Sequence, residues 1–148
     1  MTAKITLLND TIAMLRQHID RGTSIAMEDG TMDELVQEAV ALVESYRLAA
    51  SRKVTVLGCY MLIRHAVRKH RDLALLDNEA LTRSILEGDY LYGMLYRLAS
   101  GRKELMLMQH LTPFYKKLQL ALLEGQHPRQ LMAELNEMLR LYLNKQCA

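Results

Sequence analysis

The 148-residue chain contains little of what disulfide-bonded or membrane-spanning proteins are made from. It has two Cys, two Pro, one Phe and no Trp. So few cysteines exclude a disulfide framework and favour a reducing compartment, and we expect Cys59 and Cys147 to be free thiols. The longest apolar run, residues 54–63, has roughly half the length of a helix that spans a membrane. The sequence therefore predicts no transmembrane segment.

An excess of charge of one sign is also missing. Nineteen Lys and Arg residues against seventeen Asp and Glu residues give a formal net charge of +2. A balance so close to zero requires neither a nucleic acid nor an anionic membrane as partner. The first ten residues lack a basic segment leading into a continuous apolar one, which is the pattern of a secretion signal. We therefore expect a cytoplasmic protein that binds no nucleic acid.

The residues that are abundant are those of helical cores. Half of the chain is hydrophobic, and ten residues are Met. Leu, Met and Ala can fill irregular gaps between helices, and no segment alternates between polar and apolar residues as a half-buried strand does. The composition predicts an all-α protein, a single domain over residues 1–148 with about six helices.

Apolar periodicity and capping residues predict where these helices begin and end. Thr31 and Glu34 have the spacing of a capping box, and Asn78 is a suitable N-cap. Gly101 is suited to the left-handed position beyond a helix end, whereas Pro113 should kink or break its helix. The predicted helices cover about residues 6–19, 31–50, 52–75, 78–100, 102–123 and 128–145.

Two of the predicted helices are apolar over more than one face. The third helix begins with apolar residues on every side, the pattern of a helix enclosed by neighbours. On the fourth helix, the apolar side chains spread over about two-thirds of the circumference at 100° per residue. A stripe that wide must contact more than one neighbour. Its members are Tyr90, Leu91, Tyr92, Met94, Leu95, Tyr96 and Leu98.

Residues that carry chemistry are few and scattered. His65 and His70 lie on one predicted helix, but five residues separate them, so they point about 140° apart and cannot chelate one ion together. No phosphate-binding loop, dinucleotide fingerprint or nucleophile motif occurs in the sequence. We therefore expect this chain to contribute no catalytic residue and no metal site.

The one concentrated positive patch lies at the end of the third helix. Arg64, Arg68 and Arg71 share a helical face, and Lys69 lies beside them. Such a group can contact the phosphates of a nucleic acid or of a diphosphate. A solvated or salt-bridged face is the more common role of such a run, and both interpretations stay open.

The order of motifs in the second half of the chain resembles a known family. Residues 86–100 have the sequence Leu-Glu-Gly-Asp-Tyr-Leu-Tyr-Gly-Met-Leu-Tyr-Arg-Leu-Ala-Ser, and a Leu/Met-rich helix then leads to Leu-Glu-Gly-Gln at residues 123–126. This order is similar to that of the trans-polyprenyl diphosphate synthases. It resembles most the small subunit, or component I, of bacterial heptaprenyl and hexaprenyl diphosphate synthases. The similarity covers about residues 54–126 and extends weakly to residues 142–145.

The chain departs from the catalytic members of that family. They carry two Asp-rich motifs, because several carboxylates must hold the Mg²⁺ ions that neutralise a diphosphate leaving group. Residues 65–72, which match the first motif, have one carboxylate among five basic side chains. The second motif would lie beyond Ala148. The resemblance thus implies that this chain binds no cofactor and that Mg²⁺ belongs to a larger, Asp-rich catalytic partner.

By the same resemblance, the fold is a reduced isoprenoid-synthase-like helical bundle. The Gly-Asp helix and the next one, about residues 86–123, would form the subunit interface. Apolar side chains of the Gly-Asp helix would line the tunnel for the isoprenoid tail, and the product would supply menaquinone synthesis. The open alternative is a small helical interaction or nucleic-acid-binding regulator that uses residues 64–71. The expected partner-interface residues are Gly88, Tyr92, Leu95, Tyr96 and Ala99. The expected tunnel residues are Leu91, Met94 and Leu98.

Overall fold

Every regular element in the described part of the chain is an α-helix. The computed structural model describes residues 2–23, 25–27, 33–71 and 77–146. Within these ranges there are six helices and no strand, which confirms the all-α prediction. They are α1 (Thr2–His18), α2 (Glu34–Glu44), α3 (Ala50–His70), α4 (Asn78–Gly101), α5 (Leu105–Leu123) and α6 (Pro128–Gln146). None of them is long and apolar enough to cross a membrane.

The third helix, α3, lies at the centre of the bundle. Its side chains are buried at every position from Thr55 to Val67, as expected for a helix enclosed by neighbours. Each of the other five helices contacts it. Gly58 permits a close approach of α1, since a Cβ atom there would lie 2.7 Å from Cε of Met14. Burial of each Leu or Ile side chain on α3 contributes about 1.5–3 kcal/mol to stability.

The N-caps of α2 and α4 are Asp residues. The Asp33 carboxylate accepts a hydrogen bond from the Leu35 amide at 2.8 Å, and Asp77 does the same for Ala80. An aspartate cap satisfies a free amide and also carries a negative charge that the helix dipole favours. The expected N-cap Asn78 is instead the first residue of α4. The expected capping residue Thr31 lies outside the described residues.

The end of α4 differs from the prediction at Gly101. That glycine belongs to the helix, and the left-handed residue is Lys103, with a φ of 62°. The Glu104 amide donates to the Ala99 carbonyl at 2.7 Å, which is the long hydrogen bond of a Schellman motif. The same motif ends α5 as expected, with Gly125 at φ 79° and the Gln126 amide 2.9 Å from the Ala121 carbonyl.

A buried polar cluster explains why a lysine is tolerated at this turn. Glu104, the next residue, is only 2% exposed. Its carboxylate accepts hydrogen bonds from Arg52 Nε at 2.5 Å and from the Tyr142 hydroxyl at 2.7 Å. These contacts join the α4–α5 turn to α3 and α6, and they hold Lys103 in a conformation that costs a non-glycine residue about 1 kcal/mol or more.

Pro113 does not break α5, which leaves the kink of the two expected effects. The helix continues from Leu105 to Leu123 with the proline inside it. Both Pro113 and Gln109, whose carbonyl loses its helical hydrogen bond, are exposed, so water can satisfy that carbonyl. The other differences are in helix length: α2 ends at Glu44, six residues earlier than expected, and α3 ends at His70.

We predict opposite effects of two substitutions at the left-handed positions. Lys103→Gly should raise the free energy of unfolding by about 1 kcal/mol, because glycine adopts a positive φ without steric cost. Gly125→Ala should lower it by about 1 kcal/mol for the converse reason. Urea denaturation followed by circular dichroism measures both. A destabilised Lys103→Gly variant would contradict the assignment of strain to that turn.

Candidate functional site

The inner face of the Gly-Asp helix, α4, belongs to the core of this chain. Leu91, Leu95 and Ala99 are at most 1% exposed. A Cβ atom at Gly58 of α3 would lie 3.3 Å from Cδ2 of Leu98, so α4 packs directly on the central helix. This face accounts for about half of the wide apolar stripe that the sequence showed.

The five residues expected at a partner interface therefore have different environments. Gly88, Leu95 and Ala99 are buried by the chain's own helices. Tyr92 is half-buried and stacks on Tyr115 of α5, with ring centroids 4.2 Å apart. Tyr96 is 58% exposed. A partner that docks on the folded chain would thus meet Tyr96, and Leu95 contacts only the core.

The three expected tunnel residues are likewise separated. Met94 and Leu98 border a cavity of about 320 Å³ that lies between α1 and α4. The rest of its lining is Leu15, His18, Arg97, Gly101 and Arg102, so apolar and basic side chains share the wall. Leu91 is fully buried and does not line this cavity. Two of the three predicted positions therefore adjoin a space that can receive an apolar group.

The exposed apolar surface lies on the opposite face of α4 and on α5. At 100° per residue, the exposed side chains on each helix fall within an arc of about 100°. The exposed fractions are largest at Leu123 (85%), Leu120 (61%) and Leu86 (60%). We call this set the α4–α5 apolar face. It comprises Ile85, Leu86 and Tyr96 on α4 and Leu105, Met106, Pro113, Leu120 and Leu123 on α5.

The expected interface over residues 86–123 includes α5, but the individual residues expected there all lie on α4. The sequence does contain a periodic pattern for this surface on α5. One side of a helical wheel carries Leu105, Met106, Pro113, Leu120 and Leu123. The pattern was not distinctive, because the buried side of α5 is equally apolar. Only the packing of α5 against its neighbours separates the two sides.

The glycine of the Gly-Asp pair allows α3 and α4 to approach each other. A Cβ atom at Gly88 would lie 2.3 Å from Nε2 of His70, the last residue of α3. The same Nε2 lies 3.2 Å from the Ile85 carbonyl oxygen and 3.2 Å from Oδ1 of Asp89. Both members of the pair therefore contact His70.

Polar contacts next to His70 hold the same two helices together. Lys69 Nζ lies 2.6 Å from Oε2 of Glu87, which is 8% exposed as a residue. The Ser84 hydroxyl donates to the Lys69 carbonyl at 2.6 Å. Two basic side chains at the end of α3, Lys69 and His70, thus pair with carboxylates of α4. In the described ranges, no group of three or more His, Cys, Asp or Glu residues has metal-binding geometry.

The positive patch at the end of α3 is partly buried. Arg64 is 7% exposed, and its Nη2 lies 2.5 Å from Oδ2 of Asp33. Burial alone raises the pKa of the Asp33 carboxyl. Hydrogen bonds from Arg64 and from the Leu35 amide outweigh that effect, so the pKa lies below its ordinary value of 3.8. Arg68 and Arg71 remain exposed. A nucleic acid would therefore meet two arginines of this face, not three.

The described cysteine is not an activated nucleophile. Cys59 is a free thiol on α3 with no exposed surface. Burial raises its pKa to about 12, and the negative charge of Glu104 adds to the effect. The thiol is protonated at neutral pH, and a thiol reacts only as its thiolate.

Comparison of this chain with protein-family models, with curated proteins and with solved structures finds no match. The functional assignment therefore depends on the residues and contacts described above.

We predict that the two glycines of α4 respond differently to alanine. Gly88→Ala should lower the free energy of unfolding by about 1–3 kcal/mol, because the new methyl group displaces the held His70 ring. Gly93→Ala should raise it by about 0.5–1 kcal/mol, since nothing lies within 4 Å of its Cβ position. Thermal and urea denaturation of the isolated chain measure both. Equal effects of the two substitutions would refute the close contact at Gly88.

Proposed function

We propose that this chain is the noncatalytic small subunit of a heterodimeric long-chain trans-polyprenyl diphosphate synthase. It stabilises a larger catalytic subunit and helps to limit the length of the isoprenoid product, which supplies the side chain of menaquinone. The observation that carries this proposal is the α4–α5 apolar face. It lies on α4, which contains the Gly-Asp-Tyr-Leu motif, and on α5, which the Glu-Gly-Gln motif follows directly.

The size of this face suits a stable dimer. The helices α4 and α5 have 24 and 19 residues. At about 1.5 Å per residue and about 10 Å in diameter, the whole outward side of the two helices projects roughly 600 Å², against the ~800 Å² that each partner buries in a standard interface. Exposed Asp89, Gln109 and Lys116 share this side with the apolar side chains. Large exposed apolar side chains such as Leu120 and Leu123 are costly in water, and an apolar partner surface removes that cost.

The division of labour follows from the residue types. The lysine and histidine at the end of α3 pair with Glu87 and Asp89, which are the nearest carboxylates on α4. Binding of Mg²⁺ and ionisation of the allylic diphosphate require several free carboxylate oxygens. We assign these free carboxylates to the larger subunit, which therefore performs the condensation.

The cavity beside Met94 and Leu98 supplies a second role. Its apolar wall can accept part of a growing isoprenoid tail, because each buried CH₂ group contributes about 0.8 kcal/mol. A bulkier side chain at its border would oppose further elongation sterically. The small subunit thereby influences product length without touching the reacting atoms.

The proposal predicts activity only in the mixture of the two subunits. This chain, an Asp-rich prenyl synthase subunit from the same organism, and both together are incubated with Mg²⁺, farnesyl diphosphate and isopentenyl diphosphate. Long-chain product should form in the mixture and not with this chain alone. Elongation by the isolated chain, or full activity and unchanged product length of the larger subunit alone, would refute the proposal.

Charge on the α4–α5 apolar face should prevent association. The double variant Tyr96→Asp/Leu120→Asp should weaken binding of the larger subunit by about thirtyfold or more, since two exposed anchors each lose apolar contact and gain a buried charge. Isothermal titration calorimetry or gel filtration of the mixture measures this. Both residues are exposed, so the isolated variant should keep its helix content.

The matched control is Leu141→Asp, a leucine on α6 that is 44% exposed and lies outside the face. It should leave the affinity unchanged within about twofold. Equal affinities of the double variant and the wild type would place the interface elsewhere. Leu95→Asp is unsuitable as a test, because this side chain is 1% exposed and the variant would unfold the core.

A further inference from the structure

The cavity between α1 and α4 combines buried apolar side chains with exposed basic ones. Leu15, Met94 and Leu98 line it and are at most 6% exposed. Arg97 and Arg102 also line it, and both are exposed to solvent. Among the described residues, no Asp or Glu contributes to this lining. Such a lining suits a ligand that has an apolar body and an anionic group.

The two guanidinium groups have hydrogen-bond donors to offer to a ligand. Within the described ranges, the Arg97 side chain forms no hydrogen bond and no ion pair. Arg102 Nη1 lies 3.4 Å from Oγ1 of Thr55, beyond the usual ~2.7–3.2 Å of such a hydrogen bond. Glu104, the carboxylate nearest to both arginines in the sequence, already accepts hydrogen bonds from α3 and α6. Each planar guanidinium can therefore donate two parallel hydrogen bonds to an external carboxylate.

Two helix ends beside the cavity determine how much negative charge a ligand should carry. The helix α1 ends at His18 and α4 ends at Gly101, and both residues line the cavity. A helix C-terminus carries about half of a negative charge, so the two ends together contribute about −1. His18 Nδ1 donates to the Met14 carbonyl at 2.9 Å, and the neutral ring adds no charge. With +2 from the two arginines, the sum is about +1, which matches a singly charged anion better than a phosphate or diphosphate group.

We propose that this cavity binds a monocarboxylate with an apolar chain, such as a medium-chain fatty acid. Its volume of about 320 Å³ lies within the ~300–1,000 Å³ of small-molecule sites. The carboxylate pairs with Arg97 and Arg102, while the chain contacts the buried apolar part of the lining. The inference rests on this lining and not on the assignment of the chain as a synthase subunit. A bound fatty acid would exclude an isoprenoid tail from the same space.

The test is isothermal titration calorimetry of the full chain with octanoate at low salt. The wild type should bind one equivalent. Arg97→Gln/Arg102→Gln should weaken binding by about tenfold or more, because the charged hydrogen-bond donors for the carboxylate are lost. Both arginines are exposed, so the variant should keep the helix content of the wild type in circular dichroism.

Two control variants separate this site from general effects of charge and of apolar surface. Arg83→Gln/Arg140→Gln removes the same charge from exposed positions of α4 and α6 that do not line the cavity. Leu120→Gln changes the α4–α5 apolar face, where an apolar chain can also contact the protein. Each control should change the affinity for octanoate by less than about twofold. Equal weakening by the cavity variant and either control would overturn the proposal.

Three further ligands test the anionic and the apolar part of the site separately. Butyrate should bind at least about tenfold more weakly than octanoate, since each buried CH₂ group contributes up to about fourfold in affinity. Octanol, which lacks the charge, should also bind about tenfold more weakly or worse. Octyl phosphate should bind no more tightly than octanoate. Equal binding of butyrate or octanol, tighter binding of octyl phosphate, or no saturable binding of octanoate up to about 10 mM would overturn the proposal.

Discussion

Enclosure of α3 is the constraint on which the rest of the structure depends. A helix that is apolar on all sides is stable in water only when neighbours cover it completely. From Thr55 to Val67 no side chain of α3 reaches solvent to any large extent, and all five other helices take part in the covering. The remaining helices therefore have little freedom in where they lie. Each of these helices packs one face against α3, and this determines which of its faces is left to meet solvent or a partner.

Polar contacts at both ends of α3 fix the register of this packing. Near its start, Arg52 pairs with buried Glu104; near its end, Lys69 pairs with Glu87. Buried ion pairs add little net stability because desolvation offsets the attraction, but breaking one leaves a costly uncompensated charge. A slip of α4 along α3 by one turn would separate both pairs. These contacts therefore orient α4, and with it the exposed Tyr96.

The fold was more predictable from the sequence than the site. Periodicity identified six helices, and the predicted end of the fifth helix and start of the sixth agree with the structure. Helix ends were less certain, since Asp77 competes with Asn78 as N-cap and tertiary contacts of Glu104 override the preference for glycine at the α4 turn. For the site, the apolar residues of α4 predicted a wide stripe but did not show which part of it faces the core. Periodicity cannot tell which half of such a stripe the chain itself covers.

The contacts of His70 make the Gly-Asp pair weaker evidence of function. Gly88 makes room for the imidazole ring, and the Asp89 carboxylate lies 3.2 Å from Nε2 of the same ring. Both residues thus have a packing role inside this chain, and that role would preserve them with or without a catalytic partner. The exposed leucines of α5 are not among the buried residues of the core. The functional proposal therefore depends on the exposure of these leucines more than on the motif.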